Sequence, residues 1–268
     1  MEVYLLAAKV IVFAIQKGGA SKTTSCAVTA YLLSQQGHKV LVVDADAQGN
    51  MTEIMTLCPI RDYRNDNIGG ILEALENEGK TTRQNIVVLK DTLHLLIGSE
   101  TLGVFPRTGY RGDIQMAVKT MLMPVQDDYD YILIDTAPAL NYLLTSCLIA
   151  SDGVVALFEA GKFCYSALLS FVETINYLKE SEDSKNRKIK LLGILCSLID
   201  NRRADNKDFL ELVKKDEELG SYCFDTVITR KAATGRLAFT GFFENPEIKQ
   251  ATDLYKPFIK ELLSRVNT

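Results

Sequence analysis

The chain has 268 residues, 47% of them hydrophobic and 24% charged, with a formal net charge of -4. That balance excludes a disordered polyelectrolyte, and the mild negative charge excludes a polycation that coats nucleic acid by composition, so any nucleic-acid contact must come from a local patch. Six cysteines stand at least 17 residues apart with no CxxC pair, which excludes a cysteine-held zinc or iron–sulfur site and reads as buried thiols in a reducing compartment.

From the N-terminus, residues 1–15 (MEVYLLAAKVIVFAI) are largely apolar. Glu2 in place of a basic leader and Lys9 within the run argue against a signal peptide, and 9–15 reads as a first strand. Further short apolar runs lie at 39–44, 93–98, 129–135, 152–158, 189–199 and 223–228. Their apolarity is continuous rather than alternating, the pattern of strands buried on both faces of a parallel sheet. Helical patterns fall between them over 23–36, 68–75, 114–122, 140–150, 165–178, 209–219 and 248–266. This alternation predicts an α/β fold, doubly wound, with a mostly parallel sheet and helices on both faces. Segments 59–67, 77–85 and 180–190 read as surface connections too short to be domain linkers, so 1–268 is expected to form a single domain. No stretch reaches the ~18 apolar residues of a membrane span, and a cytoplasmic protein is expected.

The first strand runs into AIQKGGASKTTS, Ala14 to Ser25. Glycines, then Lys22 and Thr23, then a helix make the arrangement of a phosphate-binding loop. Backbone N–H groups along Gly18, Gly19, Ala20, Ser21, Lys22, Thr23 and Thr24 suit the phosphates of a nucleotide, Lys22 supplies a point charge, and the Thr23 hydroxyl is a Mg2+ ligand. Ser21 stands where the usual GxxxxGK[ST] pattern has glycine. Because the donors are main-chain groups, a small side chain is tolerable there if its backbone angles stay allowed.

Two further stretches support this reading. VLVVDADAQGN (40–50) closes the second apolar run with Asp44 and Asp46, two residues apart at a strand end and expected to point the same way, toward magnesium and water at the carboxyl edge of the sheet. YILIDTAPAL (131–140) places Asp135 after four apolar residues, where an aspartate holds Mg2+ through a bound water.

Together KGGxxKTT, DxDxQGN and the apolar run ending in Asp135-Thr136-Ala137-Pro138 resemble the deviant-Walker-A ATPases of the ParA/MinD family, and more closely the short form of its ParA branch. The resemblance runs from about Lys9 to the C-terminus. It implies ATP and Mg2+ as cofactors, slow hydrolysis, and an ATP-dependent homodimer with nucleotide sandwiched between subunits, in which Lys17 reaches the phosphates held by the other subunit. It implies that Asp46 positions the attacking water and that Asp44 belongs to the magnesium sphere. As partners it implies the non-specific DNA of the nucleoid and a ParB-like centromere-binding protein that stimulates hydrolysis during plasmid or chromosome segregation. Departures are Ser21, Ala47 in place of a common proline, and the stretch FEAGKFCYSAL (158–168), which matches the family poorly. The chain also opens almost directly into its first strand, so an N-terminal helix-turn-helix and operator reading are not expected.

For DNA, IDNRRADNK (199–207) resembles the family's DxRTN segment, with Arg202 at its arginine, and DTVITRKAATGRLAF (225–239) resembles its IPRN segment, with Arg230 at its arginine. The expected DNA-contact residues are Arg202, Arg203, Arg230, Lys231 and Arg236. Residues 185–207 carry seven basic side chains (Lys185, Arg187, Lys188, Lys190, Arg202, Arg203, Lys207) against two acidic ones, a local excess suited to phosphate contacts. The same segments hold the nucleotide base in relatives, so both roles stay open. Two alternatives share the loop chemistry. A MinD-like membrane ATPase would use Leu254, Phe258, Leu262 and Val266 as an apolar helical stripe, although Glu261 weakens its basic face. A metabolic ATPase related to the nitrogenase iron protein would need cysteines to hold a cluster between subunits, for which Cys147 and Cys164 are too isolated, and a P-loop kinase would need a lid with convergent arginines, for which the sequence offers Arg107 and Arg111 beside a glycine-rich turn.

Overall fold

Strand β1 (Lys9–Ala14) leads to helix α1 (Lys22–Gln35), strand β2 (Val40–Ala45) and the short helices α2 (Asn50–Thr56), α3 (Ile60–Tyr63) and α4 (Gly70–Glu76). The structure, a computed structural model, describes residues 7–63, 68–106, 110–180, 185–186, 188–200 and 202–267. Next come β3 (Ile86–Lys90), β4 (Leu93–Leu96), α5 (Ala117–Leu122), β5 (Tyr131–Thr136), α6 (Tyr142–Ala150), β6 (Gly153–Glu159) and α7 (Lys162–Glu180). The chain ends with β7 (Lys190–Ile199), α8 (Ala204–Lys215), β8 (Cys223–Thr229), α9 (Ala232–Thr240), α10 (Ile248–Thr252) and α11 (Lys256–Val266).

The strands form one eight-stranded sheet in the order β3-β4-β2-β5-β1-β6-β7-β8. Every neighbouring pair is parallel except β3 with β4. The expected doubly wound, mostly parallel α/β sheet is what the chain forms. All six residues of β2 and of β5 are buried, as are Val10 to Ala14 of β1. Successive side chains of a strand point to opposite faces, so burial without alternation means that both faces of the central strands are covered. Each fully buried Val, Leu or Ile contributes about 1.5–3 kcal/mol relative to exposure, and Ile11, Val12, Leu41, Val42, Leu133 and Ile134 supply that contact beneath the site.

Several local expectations change. The segment 77–85 is not simply surface: Thr82 and Asn85 are buried, Thr82 donating its hydroxyl to Met121 O and Asn85 Oδ1 accepting from Gly70 N. The C-terminal pattern over 248–266 divides into α10 and α11, because Pro257 lies in the first turn of α11 and starts a new helix. Phe258, Ile259 and Leu262 are buried, Phe258 packs edge-on against Phe224 and Tyr255, and Arg265 caps the carbonyls of Leu192, Tyr222 and Cys223. The apolar stripe read as a membrane anchor is therefore spent on the core. Among the described residues no helix is long and apolar enough to cross a membrane. Cys26, Cys147, Cys164 and Cys196 are buried, Cys223 is half-buried and Cys58 is exposed.

The basic cluster of 185–207 is split by β7. Lys190 opens that strand, with Lys185 and Lys188 before it, whereas Arg202, Arg203 and Lys207 follow its far end. Ten residues of strand span roughly 30 Å, so the two halves cannot act as one patch. Lys185 is moreover paired with Asp113. Arg107, Arg187 and residues 1–6 lie outside the described residues.

Candidate nucleotide-binding site

The loop between β1 and α1 sits at the carboxyl edge of the sheet, where β1 lies between β5 and β6 and the winding reverses direction, the place where open α/β sheets bind ligands. Gly19 adopts φ 79 and Ser21 φ 59. A Cβ on Gly18 or Gly19 would meet nothing within 4 Å, so the loop backbone faces open space. Ser21, at the N-cap of α1, takes the left-handed conformation despite its side chain, at a cost of about 1–2 kcal/mol. Its hydroxyl forms no cap and bonds instead to Ser197 Oγ at 2.6 Å.

A cleft of about 650 Å3 opens over the loop. Gly18, Gly19, Ala20, Ser21, Lys22, Thr23 and Thr24 line it together with Asp46, so the structure brings these expected residues to one place. It adds Gln48, Asn50, Glu53 and Ile54 from the turn and helix after β2, Pro138 after β5, Leu198 of β7, and Ala238 and Phe239 of α9. Phe239 is 83% exposed and presents its ring to the cleft with little to cover it. Phe239 closes the stretch 225–239 whose counterpart holds the nucleotide base in relatives, whereas no sequence signal marked Leu198, which reaches the loop only through the sheet order.

Lys22 is buried, and its Nζ donates to Lys17 O at 3.1 Å. Burial lowers its pKa, opposed by the charges of Asp135 and Asp46. Thr23 Oγ1 donates to Asp135 Oδ2 at 2.7 Å. Asp135 is completely buried; burial, with the charge of Asp44, pushes its pKa well up, against the pull of Thr23 and Lys22. Its Oδ1 has no hydrogen-bond partner. An orphaned carboxylate oxygen beside a threonine hydroxyl fits a divalent cation, which would favour the ionised acid that burial disfavours. Among the described residues no three His, Cys, Asp or Glu side chains form a metal cage; Mg2+ is ordinarily held by one or two carboxylates together with substrate phosphates.

Asp44 and Asp46 do not share one role. Asp46 follows β2, accepts from Gln48 N at 3.0 Å and opens the turn to Gly49, whose φ of 66 starts α2. Asp44 does not line the cleft. Its Oδ2 accepts from Thr52 N at 2.8 Å and Thr52 Oγ1 at 2.7 Å, and its Oδ1 from Asp46 N at 3.3 Å. Thr52 Oγ1 in turn accepts from Gly98 N at 2.9 Å. Burial raises the Asp44 pKa to about 6 despite these donors. The strand-end alternation fails here because β2 ends at Ala45, before Asp46, and the chain turns between the two carboxylates.

The basic residues at the β7–α8 and β8–α9 connections, and Arg236 within α9, are exposed, yet four of the five are paired. Arg202 forms two bonds to Asp200 and Arg203 two to Asp205, Arg230 reaches Glu159 at 3.3 Å, and Arg236 forms two bonds to Glu247. Lys231 stands at the N-cap position of α9 without a side-chain cap and is exposed. Arg203, Arg230, Asp200, Glu159 and Asn206 also surround a cavity of about 220 Å3 that shares Leu198 with the nucleotide cleft.

A protein-family model described as an AAA domain matches residues 8–191. The chain belongs to that family, as a ParA/MinD-like P-loop ATPase. It is 28% identical over 267 residues to the chromosome-partitioning ATPase Soj of Thermus thermophilus, a match covering 98% of this chain and 99% of the relative. Among solved structures it resembles a putative plasmid partition protein from Borrelia burgdorferi bound to AMPPNP, at 25% identity and TM-score 0.73, covering 95% of this chain and 99% of that one. It also resembles the cobyrinic acid a,c-diamide synthase of Mycobacterium smegmatis with bound ADP and magnesium, at 28% identity and TM-score 0.66, covering 79% of this chain and 83% of that one. Of the motif residues, Gly18 to Thr24, Asp46 and Pro138 line the cleft, Asp135 reaches it through Thr23, and Lys17 and Asp44 do not line it.

Proposed function

We propose that this chain is a ParA-type partition ATPase acting as one domain over residues 1–268. ATP and Mg2+ bind in the cleft, two ATP-loaded subunits pair with nucleotide between them, and the pair binds DNA without sequence preference. A centromere-bound partner of the ParB type then accelerates hydrolysis to ADP and phosphate and releases the DNA, driving plasmid or chromosome segregation from a cytoplasmic, nucleoid-associated protein.

The observation that carries this reading is the division of labour between two lysines on one loop. Lys22 is buried and tied back to the loop through Lys17 O, which suits a charge that serves the phosphates of its own subunit. Lys17 is half-buried and, among the described residues, forms no ion pair. A cation that forms no ion pair among the described residues suits an anion brought by another subunit, where it would complete charge stabilisation only in the dimer. Thr23 and Asp135 would hold Mg2+, with Asp44 behind them, and the ion would neutralise phosphate charge. Asp46, its Oδ1 fixed by Gln48 N–H, orients the attacking water and accepts its proton. Phe239 offers a ring face at the cleft.

Paired surface arginines do not argue against DNA. Exposed ion pairs are worth about 0–1 kcal/mol, so a DNA phosphate can replace Asp200, Asp205, Glu159 or Glu247 at Arg202, Arg203, Arg230 or Arg236, with Lys231 beside them. The whole-length likeness to a chromosome-partitioning ATPase supports the partition reading. A second reading, a metabolic ATPase, draws on the likeness to a cobyrinic acid a,c-diamide synthase.

Sedimentation velocity separates them. With Mg2+ and a non-hydrolysable ATP analogue the wild type is expected to sediment as a dimer and Lys17→Ala as a monomer. A monomer in every nucleotide state, or a Lys17→Ala dimer as tight as wild type, would sink the sandwich reading.

A further inference from the structure

Ser21 combines two features that ordinarily oppose phosphate binding. A residue with a Cβ resists the left-handed conformation it adopts. Relaxed to the extended backbone usual at an N-cap, a serine turns its oxygen onto the N–H of the second or third helical residue, here Thr23 or Thr24. Those amides are among the donors that a phosphate at a helix N-terminus requires. A self-capping Ser21 would compete with the nucleotide.

The structure shows why it does not. Ser21 Oγ donates to Ser197 Oγ at 2.6 Å, and Ser197, fully buried in β7, donates to Ala20 O at 3.5 Å. A serine hydroxyl has one proton. With that proton on Ser197, the 3.4 Å contact between Ser21 and Ser25 must be donated by Ser25, and the 3.2 Å contact between Ser25 and Tyr255 by Tyr255. Tyr255 is buried and keeps its proton, its pKa pushed up to about 12 by burial. The hydroxyls therefore run one way, from Tyr255 through Ser25, Ser21 and Ser197 to the loop carbonyl of Ala20. The Ser21 hydroxyl has a donor on one side and an acceptor on the other.

We propose that Ser197 is a positioning residue for the phosphate loop, holding the Ser21 hydroxyl off the first turn of α1 so that the amides stay open to nucleotide. This rests on reading the cleft as an ATP site. Ser197 touches no reacting atom; it acts through Ser21. It does in this chain what glycine at position 21 would make unnecessary, since a glycine needs neither help in the left-handed region nor a diverted side chain.

The test is a double-substitution cycle read by calorimetric titration of a non-hydrolysable ATP analogue with Mg2+, with thermal unfolding and steady-state ATPase alongside. Ser197→Ala removes the bond that holds Ser21 in its left-handed conformation and lets it relax to an extended backbone that caps its own helix, and a cap of ordinary strength weakens nucleotide affinity about fivefold. KM is expected to rise by the same factor while kcat falls less than twofold. Ser21→Gly is expected to bind at least as tightly as wild type, and Ser197→Ala added to it should cost nothing further. A merely structural role for Ser197 would instead give the same loss in both backgrounds. That result, or a Ser197→Ala protein binding like wild type, overturns the proposal. A wild-type protein that binds no nucleotide refutes the ATP reading itself and is recognisable before any variant is made.

Discussion

Thr52 is buried at the start of α2 and joins three parts of the fold: its N–H and hydroxyl both reach Asp44 Oδ2, and its oxygen receives Gly98 N–H. Thr52→Val keeps the shape and the N–H bond but removes the hydroxyl. The bond from the hydroxyl to a buried carboxylate is worth about 1.5–3 kcal/mol, and an orphaned buried amide at Gly98 costs about 1–3 kcal/mol. The two losses share one site and are not independent, so an overall destabilisation of about 3 kcal/mol is expected, a fall in Tm of about 6–12 °C. Urea unfolding of wild type, Thr52→Val and Thr52→Ser measures it, with the serine variant expected within about 1 kcal/mol of wild type. Because the same latch anchors the turn that carries Asp46, the valine variant should also lose ATPase kcat at temperatures where it stays folded. A valine variant within about 0.5 kcal/mol of wild type would refute the latch.

Three further outcomes follow from the site. Lys22→Ala removes the buried charge over the loop and is expected to abolish ATP binding in equilibrium titration; affinity within threefold of wild type would contradict its role. Asp46→Ala is expected to retain ATP and accumulate the ATP-bound, DNA-competent form while single-turnover hydrolysis is lost, and turnover at the wild-type rate would remove Asp46 from the chemistry. Arg230→Glu, which sets a like charge against Glu159, should abolish retention on random-sequence duplex while leaving ATP affinity within a few-fold, and undiminished DNA binding would move the contact surface elsewhere.

The sheet was legible because its central strands are buried on both faces, which writes them into the chain as unbroken apolar runs. β3 was not: its four apolar residues, Ile86 to Leu89, form a half-exposed antiparallel edge strand, without the burial on both faces that the central strands have. The seven-residue α2 and the nine-residue α9 escaped for a different reason. Gly49 and Lys231 at their N-caps give no side-chain cap, and Gly235, a poor helix former, lies within α9. The phosphate loop and Asp46 could be read because main-chain geometry and motif spacing are local. Asp44 could be identified but its orientation could not, since Thr52 and Gly98, from α2 and the segment after β4, decide where its carboxylate turns. The same holds for the arginines: Asp200 and Asp205 are sequence neighbours, but Glu159 and Glu247 reach Arg230 and Arg236 only in the folded chain. Ser21 stood out as a departure, and its compensation by Ser197 lies 176 residues away, beyond any local pattern.

The account turns on ATP acting as the switch for DNA binding. Equilibrium binding of the wild-type protein to random-sequence duplex, compared with ATP, with ADP and without nucleotide at moderate salt, tests it most directly. Strong binding with ATP alone, weakening as salt rises because phosphate contacts release counterions, is the expected result. Equal binding in all three states, or none in any while ATP is still hydrolysed, contradicts it.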